Sequence, residues 1–265
     1  MALCALSSCH VRNGAILGTP QTILSRFEES AVFLGDAQLA IPHDIHGPDT
    51  FVYLQAIATL VLVAIQIGDA ALLHQYLGLY HTLTARYTLH DEARWPSTLE
   101  LTERETRKRL FWSMYRIEVH SALVMGHAIR CPEMHAAVSY PIVPPISSPV
   151  ADVAADDKST EAWLIGWNYV TDLYRVLEYV ITRFRSKRMR TVARGDLHEF
   201  NLVAPVDTDS LLSQVTQKQR YLPKFLTRAS VPSSHVIENR CGFQVANIVC
   251  TMQVSRLRLL YNLRL

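Results

Sequence analysis

Glu103 and Glu105 precede Arg107, Lys108 and Arg109, and these cations run directly into Leu110, Phe111, Trp112 and Tyr115. Three adjacent cations could contact phosphate, Arg as a planar fork and Lys as a point charge. On a helix they have another use. Glu103 to Arg107 and Glu105 to Arg109 are i,i+4 pairs with the acid on the N-terminal side, the favourable orientation. The third cation can snorkel or lie on an aromatic ring. The stretch is therefore read as structural. A second basic run, Arg183, Arg185, Lys187, Arg188 and Arg190, is a candidate phosphate contact or nuclear address. The same charges also suit the solvated C-terminal end of a helix, where cations meet the negative end of the dipole.

Eleven histidines and five cysteines raise the question of metal. His43 with His46, His90 beside Asp91 and Glu92, and His120 with His127 are the nearest groupings. A seven-residue helical spacing separates His120 and His127 by about 10 Å, too far for one ion, and His43-x-x-His46 lacks two further ligands. Cys4, Cys9, Cys131, Cys241 and Cys250 contain no Cys-x-x-Cys pair. Odd in number and scattered, they read as reduced thiols packed as small apolar groups rather than as nucleophiles, including Cys9 before His10 and Cys131 near Glu133. No Gly-rich phosphate loop, nucleophile elbow or framed carboxylate pair is present. The expectation is no catalytic, cofactor or metal residue in this chain.

The elements that must carry these residues are helices, and no segment alternates convincingly as a strand. Thr50–Gly68 is uncharged and flanked by Asp49 and Asp69. It is short for a membrane span, carries Gln55 and Gln66, and reads as the central helix of a bundle. Gly68 ends it and Asp69 caps a partner helix, Ala70 to Tyr87, with Leu72, Leu73, Tyr76, Leu77, Tyr80, Leu83 and Tyr87 on one face: an antiparallel hairpin. After a loop at His90–Pro96, Thr102-x-x-Glu105 has the form of a capping box and sets the start of the next helix. Leu110, Met114, Ile117, Ser121 and Val124 form its stripe, with Phe111, Tyr115, Ala122 and Met125 beside it. Residues 139–158 hold four prolines and read as an internal loop. Ser159 or Thr160 would cap a helix whose face runs from Leu164 and Trp167 to Phe184. A polar segment, about 195–234, can hold short helices. The last helix starts near Cys241 and reaches Leu265 without a stop signal. Another begins mid-pattern at Met1. The expected fold is all-α, one multi-helix regulatory domain over residues 1–265, built from antiparallel helix pairs and truncated at both ends.

The stretch from Arg107 to Tyr115, with Glu103 and Glu105 before it and Ser121 and Gly126 after it, resembles the fungal-specific transcription factor domain. This is the middle homology region of fungal binuclear zinc cluster regulators. Tyr76-Leu77-Gly78-Leu79-Tyr80 sits where that family places a preceding helix, and Asp172 to Glu178 is similar to a helix some members carry. The likeness covers residues 1 to about 180. The family's Gly-Arg-Pro is replaced by Gly126-His127-Ala128, and Glu118 is followed by Val119-His120 rather than Arg. The family's DNA reader needs six closely spaced cysteines around two zinc ions, and this sequence has none of that spacing.

The resemblance implies a nuclear, non-enzymatic regulatory domain that controls transcription by RNA polymerase II of metabolic genes. It implies DNA contact and zinc only through a missing N-terminal module. Its partners would be a second copy of the chain, a small-molecule effector or a co-regulator, and no membrane. Trp112, Tyr115, Trp163 and Trp167 could line an effector cavity, or equally form core. The other reading is a stand-alone helical ligand-binding protein or enzyme. Composition fits a folded chain, 49% hydrophobic and 19% charged, and a net charge of +2 names no partner.

Overall fold

The computed structural model describes residues 1–12, 20–42, 50–142, 157–192, 208–227 and 236–263. The described residues are all-α. Their helices are α1 (Ala2–Arg12), α2 (Pro20–Leu39), α3 (Thr50–Ile67), α4 (Ala70–Arg86), α5 (Leu101–Met125), α6 (Asp157–Val192), α7 (Thr208–Arg220) and α8 (Val236–Leu263). They fall into two compact units. One comprises Met1–Met114 with His135–Val138, the other Tyr115–Met134 with Ser139–Leu265.

In the first unit α1 packs on α2 and α3, and α3 on α4. Gly68 adopts φ +74°, a left-handed conformation that glycine reaches without a Cβ clash. Asp69 then accepts the Leu72 N–H at 2.9 Å, so the expected two-residue hairpin forms. Leu73, Tyr76, Leu77, Tyr80 and Leu83 of α4 are buried, and Tyr87 closes the helix. On α3, Leu54, Ile57, Leu60, Val61, Val63 and Ala64 are buried. Val63 meets Ala5 and Cys9 of α1 in one apolar cluster, with Phe33 and Leu34 of α2 against it. No described helix is long and apolar enough to cross a membrane.

In the second unit α6, α7 and α8 pack on one another. Tyr169, Val170 and Leu173 of α6 meet Val215, Leu222, Leu226, Val245, Ile248 and Met252 in a continuous core. Gly166 lets Leu226 come close, since a Cβ there would stand 2.9 Å from Leu226 Cδ1.

Three local expectations change. Thr102 does not cap α5. The helix already begins at Leu101, with the Arg104 N–H bonded to the Glu100 carbonyl at 3.0 Å, and Thr102 instead accepts the Thr106 hydroxyl through its own carbonyl at 2.7 Å. A threonine inside the first turn cannot take the extended conformation that capping requires. Ser159 and Thr160 likewise lie within α6, which starts at Asp157 and continues past Phe184 to Val192. The second basic run therefore lies on the same helix and occupies its last turns. The last helix starts at Val236, earlier than Cys241. Of the proline-rich stretch, residues 139–142 are irregular and 157–158 are helical, while 143–156 lie outside the described residues, as do His43 and His46.

Candidate functional site

Helix α5 carries the sequence signature, and each half sits in its own charged setting. In the first unit Arg107 Nη2 reaches Glu103 Oε1 at 2.8 Å, and its guanidinium lies 4.6 Å from the Phe51 ring centroid. The expected ion pair is made, with an added cation–π contact. Lys108, 7% exposed, places Nζ 3.2 Å from Glu105 Oε1 and 3.3 Å from Glu92 Oε1. The Glu105 carboxylate thus pairs one turn on with the lysine, and its field also acts on Arg109, whose pKa burial lowers. Glu92 belongs to a 3₁₀ turn, Glu92–Arg94, capped by Asp91. Backbone bonds hold that turn: Glu92 N–H to the Ala137 carbonyl at 2.9 Å and Ala137 N–H to the His90 carbonyl at 2.7 Å. Phe111 and Trp112 are buried and meet edge to face at 5.3 Å.

In the second unit the buried groups are acids and phenols. The Tyr115 hydroxyl donates to Glu178 Oε2 at 2.6 Å, and the Glu133 N–H donates to the same oxygen at 2.9 Å. Arg175 Nη2 binds Glu133 Oε1 at 2.6 Å, and its Nη1 donates to the Tyr140 hydroxyl at 3.2 Å and to Asp172 Oδ1 at 3.3 Å. Tyr140 donates to Asp172 Oδ1 at 2.8 Å, and Lys218 Nζ reaches Asp172 Oδ2 at 2.8 Å. One polar network therefore joins α5, the turn at Glu133, α6 and α7. Burial, then the Glu178 carboxylate, then Glu133 hold the Tyr115 phenol far above its ordinary value. Burial and Asp172 raise Tyr140 in the same way. Burial opposes the charge on Arg175, but Tyr140, Glu133 and Asp172 outweigh it and hold the guanidinium protonated. Arg116 lies 4.2 Å over the Trp167 ring, and burial lowers its pKa to about 10.

A second cluster closes the C-terminal end of α5. Gly126 takes φ +81°, the left-handed residue past the helix end, and its N–H bonds to the Ala122 carbonyl at 3.0 Å. Arg185 Nη2 donates to the same carbonyl at 2.8 Å and its Nη1 to the His127 carbonyl. Glu118, fully buried, accepts from the Arg130 N–H at 3.0 Å and from Arg130 Nη1 at 3.2 Å. The His127 ring hydrogen-bonds to the Ser121 hydroxyl through Nε2 and to the Ala128 carbonyl through Nδ1.

These contacts locate the sequence-derived residues. Glu103, Glu105, Arg107 and Arg109 lie on the first half of α5, with Phe111 and Trp112 in the core. Tyr115, Ser121 and Gly126 lie on the second half or just past it. In the basic run, Arg185 binds the Ala122 and His127 carbonyls and Arg183 stacks on Tyr179 at 5.8 Å. The side chains of Lys187, Arg188 and Arg190 fall outside what is described. Trp167 is buried. The stripe drawn for α5 is shifted, since Val124 and Met125 are exposed whereas Glu105, Lys108 and Glu118 are buried. Sequence reading missed Glu118, Glu178, Arg175 and Asp172 as a set. Asp172, Arg175 and Glu178 recur every third residue in the otherwise uncharged stretch 163–181, and that spacing was the available signal.

Among the described residues no three His, Cys, Asp or Glu side chains are grouped to hold a metal. Cys9 is buried in an apolar cluster. Burial, then Glu118 and Glu178, push the Cys131 thiol up to about 11, the opposite of what a thiolate ligand needs.

Residues 14–145 match the family model of the fungal specific transcription factor domain. The chain carries a fungal specific transcription factor domain. That span contains α2 to α5 and the Gly126 cap, so the match falls on the signature helix and stops before α6. No curated protein and no solved structure matches the chain. The family is one of transcription factor regulatory regions, which makes this part of the chain regulatory in kind and implies a nuclear protein.

Proposed function

We propose that the fungal specific transcription factor domain of this chain restrains and tunes an attached DNA-binding module, and so sets RNA polymerase II transcription of metabolic genes. The family match over residues 14–145 carries the reading. DNA contact, and the zinc that supports it, would come from a separate cysteine-rich module, because the five cysteines here lack the spacing. The domain would act by packing rather than by catalysis. The buried groups able to do acid–base work are engaged: Tyr115 with Glu178, and Glu118 with Arg130. A second copy of the chain, an effector or a co-regulator would bias that packing, which requires different affinity for two states.

The test places the full chain between a heterologous DNA-binding module and an activating segment and reads a polymerase II reporter in fungal cells. Insertion of the chain should change output several-fold, and Glu118→Ala, which loosens the second unit, should abolish that change. Unchanged output from a nuclear, folded fusion overturns the proposal.

A further inference from the structure

The turn between α7 and α8 presents an unusual combination of side chains. Between Ser210 and Ile237 the sequence contains Lys218, Arg220, Lys224 and Arg228 and no aspartate or glutamate. The turn is ordered by its own backbone. Tyr221 N–H bonds to the Lys218 carbonyl at 3.1 Å, Leu222 N–H to the Gln219 carbonyl at 3.2 Å, and Leu226 N–H to the Pro223 carbonyl at 2.8 Å. The Thr227 hydroxyl donates to the Lys224 carbonyl at 2.7 Å. Leu222 and Leu226 anchor it in the core with Val245, Ile248 and Met252. With those leucines turned inward, Tyr221 is 78% exposed and Phe225 46% exposed. Arg220 and Lys224 are exposed beside them, and Lys218 Nζ lies against Asp172.

We propose that this turn docks a short acidic peptide of another protein, one that carries apolar side chains among its carboxylates. Charge complementarity selects the acids, since Arg220 and Lys224 stand in a stretch with no acidic residue. Two large rings held in water supply the apolar area that such a peptide would cover. The hydrogen-bonded turn presents them already ordered, which lowers the entropy lost on binding. Nucleic acid fits less well. Lys218 already faces Asp172, which leaves Arg220 and Lys224 among the described cations of the turn, and phosphate-tracking sites use on the order of 6–10 contacts. This surface belongs to the second unit and does not depend on the transcriptional reading above.

Fluorescence anisotropy on the full chain tests it. The probe is a fluorescein-labelled 15-residue peptide alternating Asp with Phe and Leu. Controls are the same peptide with Asn for Asp, and a labelled single-stranded oligothymidine of equal length. The acidic peptide should bind at micromolar concentration and at least about tenfold more tightly than the Asn peptide. Arg220→Glu with Lys224→Glu, and separately Tyr221→Ala with Phe225→Ala, should each weaken it by about tenfold. Equal binding of the two peptides, wild-type affinity in both double variants, or tighter binding of the oligothymidine overturns the proposal. The peptide comparison needs no substitution, so it stands even if a variant fails to fold.

Discussion

The two halves of α5 solve the same problem differently. Its first half keeps opposite charges together: Glu103 with Arg107, and Lys108 with Glu105 and Glu92. Glu103 is 42% exposed there, so water shares the stabilisation. Its second half buries Glu118 completely and points Tyr115 at the 8%-exposed Glu178. These acids bind backbone amides and side chains far along the chain. A carboxylate out of water must be fully partnered or it is costly, so each donor there carries more weight than the Glu103–Arg107 pair. The first-half pairs and the Glu118–Arg130 pair fall within the family match together with their partners. Glu178, Arg175 and Arg185 lie beyond residue 145.

The largest effect should come from removing a buried acid. Glu118→Ala strips the Arg130 N–H and guanidinium of their acceptor and leaves a cavity at a fully buried position. It should cost about 3 kcal/mol, read as a lowered urea midpoint. Glu103→Ala, on the exposed side, should cost under about 0.5 kcal/mol. Coincident midpoints for the two variants would remove the distinction between the halves.

The phenols give the next effect, and its sign follows from the directions of their pKa values. Tyr115, Tyr140 and Tyr169 are all raised in the folded state, Tyr169 to about 12. The unfolded chain loses these protons first, near pH 10, so the folded state binds more protons above that point. Their stabilisation is complete below about pH 10 and is lost as pH rises toward the folded values. Thermal unfolding between pH 8 and 11 should show Tm falling above pH 10. Tyr115→Phe should cost about 1–2 kcal/mol at pH 8, because Glu178 loses a donor, and should make the alkaline fall shallower. An equally steep fall in the variant would show that Tyr115 does not titrate with unfolding.

Sequence made the hairpin legible because its signals are local. Gly68 and Asp69 act within one turn of themselves, and the α4 face repeats at helical spacing. The Glu103–Arg107 pair was legible for the same reason. Glu178 was not, since its partners Tyr115 and Glu133 lie 63 and 45 residues away. No periodicity encodes that separation. A buried acid also looks like a solvated one until the fold is known, which is why the stripe drawn on α5 chose Val124 and Met125 over Glu105 and Glu118. Arg185 is a similar case, because its run reads either as a phosphate contact or as a solvated helix end, and neither reading anticipates its bonds to the Ala122 and His127 carbonyls. A guanidinium that binds backbone carbonyls has the same sequence appearance as one that faces solvent.

The smallest expected effect tests whether the Glu103–Arg107 pair is as solvent-controlled as the exposure of Glu103 suggests. A double-mutant cycle on Glu103→Ala and Arg107→Ala should return a coupling of about 0.3–0.5 kcal/mol at low salt, falling toward zero at 1 M salt. Arg107 also lies on Phe51, and that contact is not a charge pair. Arg107→Ala should therefore remain more costly than Glu103→Ala even at high salt, by about 0.5 kcal/mol. Converting Phe51 to Leu should erase the residual difference while leaving the salt-dependent coupling in place. If the coupling instead persists at 1 M salt, the Glu103–Arg107 pair is shielded from water like the Lys108–Glu105 pair beside it.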